Sequence, residues 1–533
     1  MAKRLTATID CGSSNVRCIV FDADTGRQVS VASQDWYVPR SNNIPGAYDF
    51  DSCANWNLVC GCIHEALSRV NSEEIAVITA SGFRHGIFCV DTKRSETLYG
   101  CFNMDSRTDC DYIYEHNLQK QIFEITGDWP SLHGLPRLMW IKRHDPEAFS
   151  RIGKVMLVSG WLVYQLCGEI AIEPGDASST LLLELGTRVW SKEIMNACEL
   201  PFSILPTVVD PGTVIGRVGA RIAEETGFAV GTPVTVGVAD TQAGLVGVGA
   251  VTPGDSALIG GTYWMSCHVT DRPYTDPEYR TRTSCHSQPA RWIFEGVGFL
   301  AGLSVRWFRD AFGDLEKQVA AACRVNPYDL LDRLAEAVPA GSYGVQAMFA
   351  DVANQQKWMM CSPTFINWDI LNPEMSNKGV FFRAILENAC YQSFGEFASI
   401  RRVTGDDPIA EKLIVCGGAA HSRVWCKIIS DVMGKTVSVP VEKEGTALGA
   451  AILAMVGTGI YQNTEEAVAE LIREQESFEP NQENHRVYVD EYARWRELYA
   501  NALTLVERGL VKPMWQSPST ITQEQRQNPW KLH

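Results

Sequence analysis

The feature that most limits what this chain can fold into is a strand-turn-strand unit, bent at glycine, that occurs twice. The first copy runs through Leu5 to Asp10 (LTATID), the turn Cys11-Gly12-Ser13-Ser14 and Val16 to Asp22 (VRCIVFD), with a second turn at Asp24-Thr25-Gly26. The other is Ala257 to Val269 (ALIGGTYWMSCHV), with Gly260-Gly261-Thr262 at its bend. The copies lie about 250 residues apart and share little identity, yet both join two core strands through a glycine turn. That recurrence predicts two related domains, each offering a hairpin turn to phosphate.

The segments between the hairpins alternate strand and helix, which predicts an α/β fold. Trp56, Val59, Ile63, Leu67 and Val70 recur at helical spacing, and strand-like IAVITASG follows. Pro233 to Val251 (PVTVGVADTQAGLVGVGAV) couples a strand to a glycine-rich helix start. Later, Phe381 to Ile400 reads as a long helix, Leu413 to Ala420 (LIVCGGAA) as a strand entering a glycine turn, and HSRVWCKIISDVMG as an amphipathic helix. TVSVP is a further strand, and EGTALGAAILAMVGTGI a helix that packs closely through its small residues. A chain of 533 residues exceeds one ordinary core. Residues 1–253 and 254–511 are read as the two domains, and 512–533, polar and proline-bearing, as a tail that leaves the fold.

Charge narrows the partners. A formal net charge of -16, with no compensating basic run, repels phosphate backbones and argues against nucleic acid. MAKRLTATID enters a strand without the apolar stretch of a signal peptide, and no run of about 18 uncharged apolar residues follows, so a cytoplasmic protein without membrane association is expected. The 17 cysteines are odd in number and scattered, as reduced thiols are, and Cys60 and Cys62 lack zinc spacing.

No GxxxxGK[ST] occurs, which excludes a P-loop enzyme. Gly296-Val297-Gly298 with Gly302 misses the dinucleotide spacing and is read as helix packing. The residues do offer another phosphate apparatus. Asp10 ends a strand before Gly12-Ser13-Ser14, and Gly260-Gly261-Thr262 occupies the matching bend. Consecutive backbone N–H groups in such turns form an anion-binding concavity, and a carboxylate beside them holds Mg²⁺, through water in the commonest arrangement. Each turn alone also fits an ordinary hairpin. Gly417-Gly418-Ala419-Ala420, at a strand-to-helix junction, leaves room for a flat base and ribose. Asp240 interrupts the apolar run VGVAD and reads either as a functional carboxylate or as a cap for the helix after it.

In this order, IDCGSSNVRCIVFD, SGFRHG, NMDSRT, PRLMWI, VGVADTQAG, IGGT, CGGAAHSRVWCKIISDVMG and EGTALGAA resemble the FGGY carbohydrate kinases, a branch of the sugar kinase and actin superfamily. The resemblance spans roughly residues 6 to 455. It implies two actin-like (ribonuclease H-like) domains with a catalytic cleft between them, and ATP-dependent phosphorylation of a small sugar-like substrate. It further implies that Asp10, Gly12, Ser13 and Ser14 face the ATP phosphates and Mg²⁺. Gly261 and Thr262 close on the γ-phosphate, and Gly417, Gly418 and Ala419 hold the adenosine. Asp240 matches the base that takes the proton from the attacking hydroxyl. Arg84, His85 and Asp105 fall in segments that read the substrate, and Trp264 is expected to line the cleft or to fill a core. Gly160 and Arg17 depart from the Asp and Lys common in the family, and PRLMWIKRH fits its signature loosely.

Within the family, GGTYW, GLSVRWFRDAFGDLEK, SPTFINWDI and NMDSR resemble the branch that acts on autoinducer-2, a signal derived from a dihydroxypentanedione. GLSVRWFRDAF also reads as an amphipathic helix with Leu303, Trp307 and Phe308 inward. Two other readings stay open: a kinase of a pentulose or polyol, and a non-catalytic actin-like ATP-binding regulator. The resemblance also raises a phosphocarrier protein of sugar uptake as a regulatory partner.

Overall fold

The computed structural model describes residues 4–39, 44, 46–261, 263–298, 300–349, 359–441 and 444–516; Thr262 of the second turn lies outside them. Its central strand, β1 (Leu5–Cys11), is buried at every position because both faces are covered. Strand alternation sorts the side chains. Ala7, Ile9 and Cys11 join a cluster with Val59, Cys62, Ile63 and Ala66. On the other face, Thr8 donates to the carbonyl oxygen of Ala447 at 3.1 Å, and Asp10 stands at the end of that face.

Around β1 the first sheet is built from β2 (Asn15–Asp22) and β3 (Gln28–Asp35), covered by α1 (Ser52–Leu67), and β4 (Ile75–Gly82). After α2 (Gly134–His144), α3 (Val158–Cys167) and the short α4 (Pro174–Ser178), it is completed by β5 (Val214–Arg217), β6 (Pro233–Thr235) and β7 (Val238–Ala239), and α5 (Asp240–Gly247) follows. The order is β5-β6-β4-β1-β2-β3, with β7 also paired to β4.

The second half comprises β8 (Ser256–Gly260), β9 (Trp264–Thr270), β10 (Arg282–Cys285), β11 (Trp292–Gly298), α6 (Ala301–Phe312), α7 (Pro327–Glu336), α8 (Lys378–Thr404), β12 (Lys412–Gly417), α9 (Arg423–Met433), β13 (Thr436–Pro440), α10 (Gly445–Gly457) and β14 (Glu474–Phe478). Its sheet runs β10-β11-β9-β8-β12-β13-β14. Both sheets repeat one plan. A hairpin (β1/β2, β8/β9) carries a third antiparallel strand outside it (β3, β11) and a parallel strand beside its first member (β4, β12).

Between the sheets, α5 and α10 meet backbone to backbone. A Cβ built on Gly449 would lie 1.8 Å from the Ala243 carbonyl oxygen, and one on Gly247 1.8 Å from that of Gly445, so only glycine permits the crossing. Leu245 and Val248 pack on the second sheet with Ala257, Cys267 and Ile293, while Ala447, Leu448 and Ala451 pack on Ile19 and Phe21 of the first. Each sheet is thereby covered by a helix from the other half of the sequence.

Some expectations change. The strand expected before Asp240 is two short ones, β6 and β7, and Asp240 itself opens α5. Gly296 and Gly298 lie in β11, where an added Cβ would meet Glu396 and Trp264, so their packing belongs to a strand rather than a helix. Of the α6 residues expected inward, Phe308 is buried but Trp307 is 40% exposed, because the helix turns its Ala301, Ser304, Val305 and Phe308 edge to the core. Beyond Lys512 the chain still pairs, Met360 donating its N–H to Trp515 and Met514 to Cys361. Residues 517–533 of the expected tail lie outside those described. Among the described residues no helix is long and apolar enough to cross a membrane.

Candidate active site

The antiparallel register of the first hairpin sets Asp10 opposite Arg17, and the parallel register with β4 sets it beside Ser81. Both neighbours bond to it: Arg17 Nη2 at 2.5 Å from Oδ2 and Ser81 Oγ at 2.6 Å from Oδ1. Arg17 also bonds Glu444, just ahead of α10, and so spans the halves. The turn beyond Asp10 is fixed from outside by Trp36 Nε1, which donates to Gly12 O at 2.8 Å, and by Asn103 Nδ2, which donates to Ser13 Oγ at 2.9 Å. Ser14 is exposed. With its oxygens engaged by Arg17 and Ser81, Asp10 fits a metal held through water better than a direct ligand. Among the described residues no three His, Cys, Asp or Glu side chains gather to hold a metal.

The second turn is shaped by close backbone approach instead. Gly260 faces Gly417 across the parallel pair β8/β12, and Gly417, at φ 77°, would place a Cβ 2.9 Å from Gly260 O. Neither crowding nor that backbone angle suits a side chain. The opening this leaves is a cavity of about 290 Å³ reached by Gly260, Gly261, Gly418 and Ala419, with Val305, Tyr328, Phe382, Leu386 and Trp425 as apolar wall and Asn326, Asp332 and Ser422 as polar points. Arg306, Asp329 and His421 line it as well, so the cavity sets charged and polar side chains against an apolar wall, as small-molecule sites do. Trp264 is wholly buried in the second core, its ring 4.7 Å from that of Trp425. It backs the cavity wall, and of the two readings open for it the core one holds; it does not line the cleft.

Asp240, at the start of α5, keeps 38% of its side chain exposed. Its Oδ1 accepts from the Thr241 N–H at 2.7 Å and lies 4.0 Å from Arg84 Nε; no hydrogen bond reaches Oδ2 from the described residues. Desolvation raises its pKa above the ordinary carboxylate value, Arg84 opposing the rise and Asp10 adding to it. Asp10, Asp240 and Arg84 therefore share one field.

Arg84 and His85, which the sequence places in a substrate-reading segment, do not form a solvated surface pair. Arg84 is 5% exposed and donates to Glu295 at 2.7 Å, an oxygen that also accepts from Arg282 at 2.6 Å. Glu295 is wholly buried, and although burial opposes its ionisation, Arg282 and Arg84 hold its pKa below the ordinary value. His85, at φ 75°, sits edge-on to His133 with ring centres 4.5 Å apart. Burial and then His133, Arg282, Arg84 and Arg137 push its pKa down, which keeps it neutral. Asp105 has no exposed surface: Arg107, Arg137 and the Tyr48 N–H occupy its carboxylate. Through Arg137, which also donates to His85 O at 2.9 Å, it braces the site from behind.

Several groups escaped local sequence reading. Glu295 carried a signal, a charge inside the apolar run WIFEGVG. Glu173 and Asp176, around α4, are buried carboxyls; burial lifts Glu173 to about 7 and, with Glu173 and Asp240 nearby, raises Asp176 as well. Asp176 bonds Ser159. Nothing in PGDASST marks it as lying in the field of Asp240.

Residues 5–247 match the N-terminal domain of the FGGY family of carbohydrate kinases, and residues 254–458 its C-terminal domain. The autoinducer-2 kinase of Salmonella typhimurium is 35% identical over 517 residues, 96% of this chain and 97% of that protein. That of Yersinia enterocolitica is 36% identical over 517 residues, with the same coverage of 96% and 97%. Among solved structures, the gluconate kinase from Lactobacillus acidophilus superposes with a TM-score of 0.82 at 19% identity, covering 94% of this chain and 98% of its own. The xylulose kinase from Rhodospirillum rubrum does so with 0.81 at 23%, covering 95% and 100%. The fold is thus α/β with two actin-like domains, that of the FGGY sugar kinases.

Proposed function

Since the chain belongs to the FGGY family of carbohydrate kinases and is an ATP-dependent sugar kinase, we propose that it phosphorylates a hydroxyl of the autoinducer-2 precursor dihydroxypentanedione, with Asp240 as catalytic base. The substrate reading draws on the near-full-length likeness to the autoinducer-2 kinases. The observation that carries the mechanism is the Asp240 carboxylate, fixed at Oδ1 by the Thr241 N–H and faced by Arg84, with Oδ2 left open.

In this reading the acceptor hydroxyl meets Oδ2. Phosphoryl transfer has a loose transition state, so positioning and charge neutralisation dominate, and the base receives its proton as the acceptor bond forms. The raised pKa suits a group that must accept that proton near neutral pH. Thr241 orients the base by holding Oδ1 at 2.7 Å, and Arg84, 4.0 Å from that oxygen, faces it as a charge. Gly12, Ser13 and Ser14 would present backbone N–H groups to phosphate, with Thr262 and with Gly261 once its N–H leaves Tyr263 O, to which it donates at 3.1 Å, and Gly417, Gly418 and Ala419 would hold the adenosine in the cavity beside them. Asp10 would hold Mg²⁺ through water while Arg17 keeps it in register. ATP, when bound, supplies the γ-phosphoryl group.

The test is ADP release by the purified chain with dihydroxypentanedione, D-xylulose, D-ribulose, erythritol and glycerol, with the product identified by mass. Dihydroxypentanedione is expected to give the highest kcat/KM. A higher value for a pentulose or polyol would replace the substrate and keep the chemistry; no ADP with any acceptor would favour an ATP-binding regulator.

A further inference from the structure

Met514 and Trp515, in the segment that the sequence reads as a tail, are bonded back into the fold. Met359 bridges Gln516 in antiparallel register, Met360 donates its N–H to Trp515 O at 2.9 Å, and Met514 donates to Cys361 O at 3.2 Å. The strip that receives them is itself anchored, since Tyr499 Oη accepts the Cys361 N–H at 3.2 Å. With Met265 and Leu300, Met514 and Trp515 pack against Val297 and Met360, which are 5% and 4% exposed.

Strand alternation locates that patch. Along β11, Ile293, Glu295 and Val297 point to one face, the face that looks toward the first half of the sequence. Ile293 packs there with Leu245 and Val248. Glu295, one step on, receives Arg84 from the first half at 2.7 Å. Val297, a further step of about 7 Å along the strand, receives Met514 and Trp515. On β9 the cross-strand partner of Val297 is Met265, whose Sδ lies 4.0 Å from Arg84 Nη2 and 3.9 Å from Arg282 Nη2. Arg84 Nε in turn lies 4.0 Å from Asp240 Oδ1. The apolar patch therefore begins at the guanidinium that faces the base, with Met265 in contact with both. Met265, Met514 and Trp515 are only partly buried, so the patch keeps an open side. The Phe382, Leu386 and Trp425 wall of the cavity beside Gly260 belongs instead to the core on the opposite face of β9, with Trp264.

We propose that Met514 and Trp515 form an apolar wall of the acceptor site and determine specificity there, taking a carbon that carries no hydroxyl and disfavouring one that does. The class of acceptor is a small polyhydroxylated molecule with a methyl end. Dihydroxypentanedione is of that class, because two carbonyls and two hydroxyls on five carbons leave one carbon bare, whereas every carbon of a pentulose carries oxygen. A hydroxyl pressed on such a wall loses its water without gaining a partner. The inference rests on the kinase reading above and deepens its substrate.

The experiment measures kcat/KM for 1-deoxy-D-xylulose and D-xylulose, which differ only in the hydroxyl at one end, with dihydroxypentanedione alongside them. The unaltered chain is compared with Trp515→Ala, Trp515→Phe and Met514→Ala, all full length. The unaltered chain is expected to prefer the deoxy sugar. In Trp515→Ala the ratio of the two kcat/KM values is expected to fall about tenfold, the worth of one methyl contact, with the KM for ATP unchanged, and Trp515→Phe, still apolar, to keep most of the preference. If the ratio in Trp515→Ala stays within about twofold of the unaltered value, or if both sugars lose alike, the segment only braces the fold and the proposal is overturned. Should Trp515→Ala not fold, the ratio in Met514→Ala decides by the same limits. Turnover of the sugars without turnover of dihydroxypentanedione would replace the substrate of the proposed function and leave this inference to the ratio. If no probe raises ADP release in the unaltered chain, the proposed function falls, and calorimetric binding of the two sugars to the unaltered chain and Trp515→Ala decides the inference by the same ratio.

Discussion

The two hairpin turns descend from one structural plan and are finished in opposite ways. The turn after β1 is set by charge: Asp10 is gripped by Arg17 and Ser81, and Arg17 reaches across to Glu444. The turn after β8 is set by the lack of side chains, with Gly260 and Gly417 pressed together and a cavity opening beside them. A repeated backbone thus carries a carboxylate and its guanidinium at one turn, and at the other bare peptide beside a cavity whose ionisable groups, Arg306, Asp329, Asp332 and His421, come from the surrounding elements. In the proposed function the first would serve proton and metal chemistry and the second the nucleoside.

The comparison is broken most directly at Asp240. Asp240→Asn keeps the shape and removes the base, and kcat is expected to fall by about 10²–10⁴, read as ADP release at saturating substrates. Retention of full activity would remove charge from the account of the first half. On the other side, Gly417→Ala introduces a methyl where both φ and space forbid it. It is expected to raise the KM for ATP at least about tenfold and to cost about 1–3 kcal/mol of stability through a backbone conformation that only glycine adopts readily, read by kinetics and thermal unfolding. An unchanged KM would mean that bare backbone is not what the second turn offers.

Arg17→Lys sharpens the contrast, since a lysine is a point charge that cannot fork between Asp10 and Glu444. A fall of about threefold to tenfold in kcat/KM for ATP is expected, with the KM for the acceptor unmoved. The smallest effect is a pH dependence. Glu173 binds its proton more tightly folded than unfolded, so its contribution to stability is present below the ordinary value of 4.5 and is lost as pH rises through about 7. The melting temperature is expected to drop between those limits, and Glu173→Gln to flatten the slope. A slope unchanged in Glu173→Gln would assign the titration elsewhere.

Much of the frame was legible in sequence because its signals are local. The hairpins, the long α8 and the small-residue α10 each follow from periodicity and glycine placement within a short window. The site was legible only as far as such windows reach. Asp10 and the glycine turns announce themselves, but the partner of Arg84 lies 211 residues away, and the cage that takes Asp105 out of the substrate's reach joins Arg107, two residues on, to Arg137, 32 residues off. Trp264 sits next to a functional turn, yet strand alternation sends its ring into the core.

The crossing of α5 and α10 carries a mechanical consequence. Helices that touch through interlocked side chains resist turning, because every knob must leave its hole. Here the closest surfaces are peptide against peptide at Gly247, Gly445 and Gly449, and side chains such as Val246 and Leu448 pack only to the sides of that contact. Such a junction resembles a bearing: were the two sheets to pivot, this is where the turn would demand the least repacking.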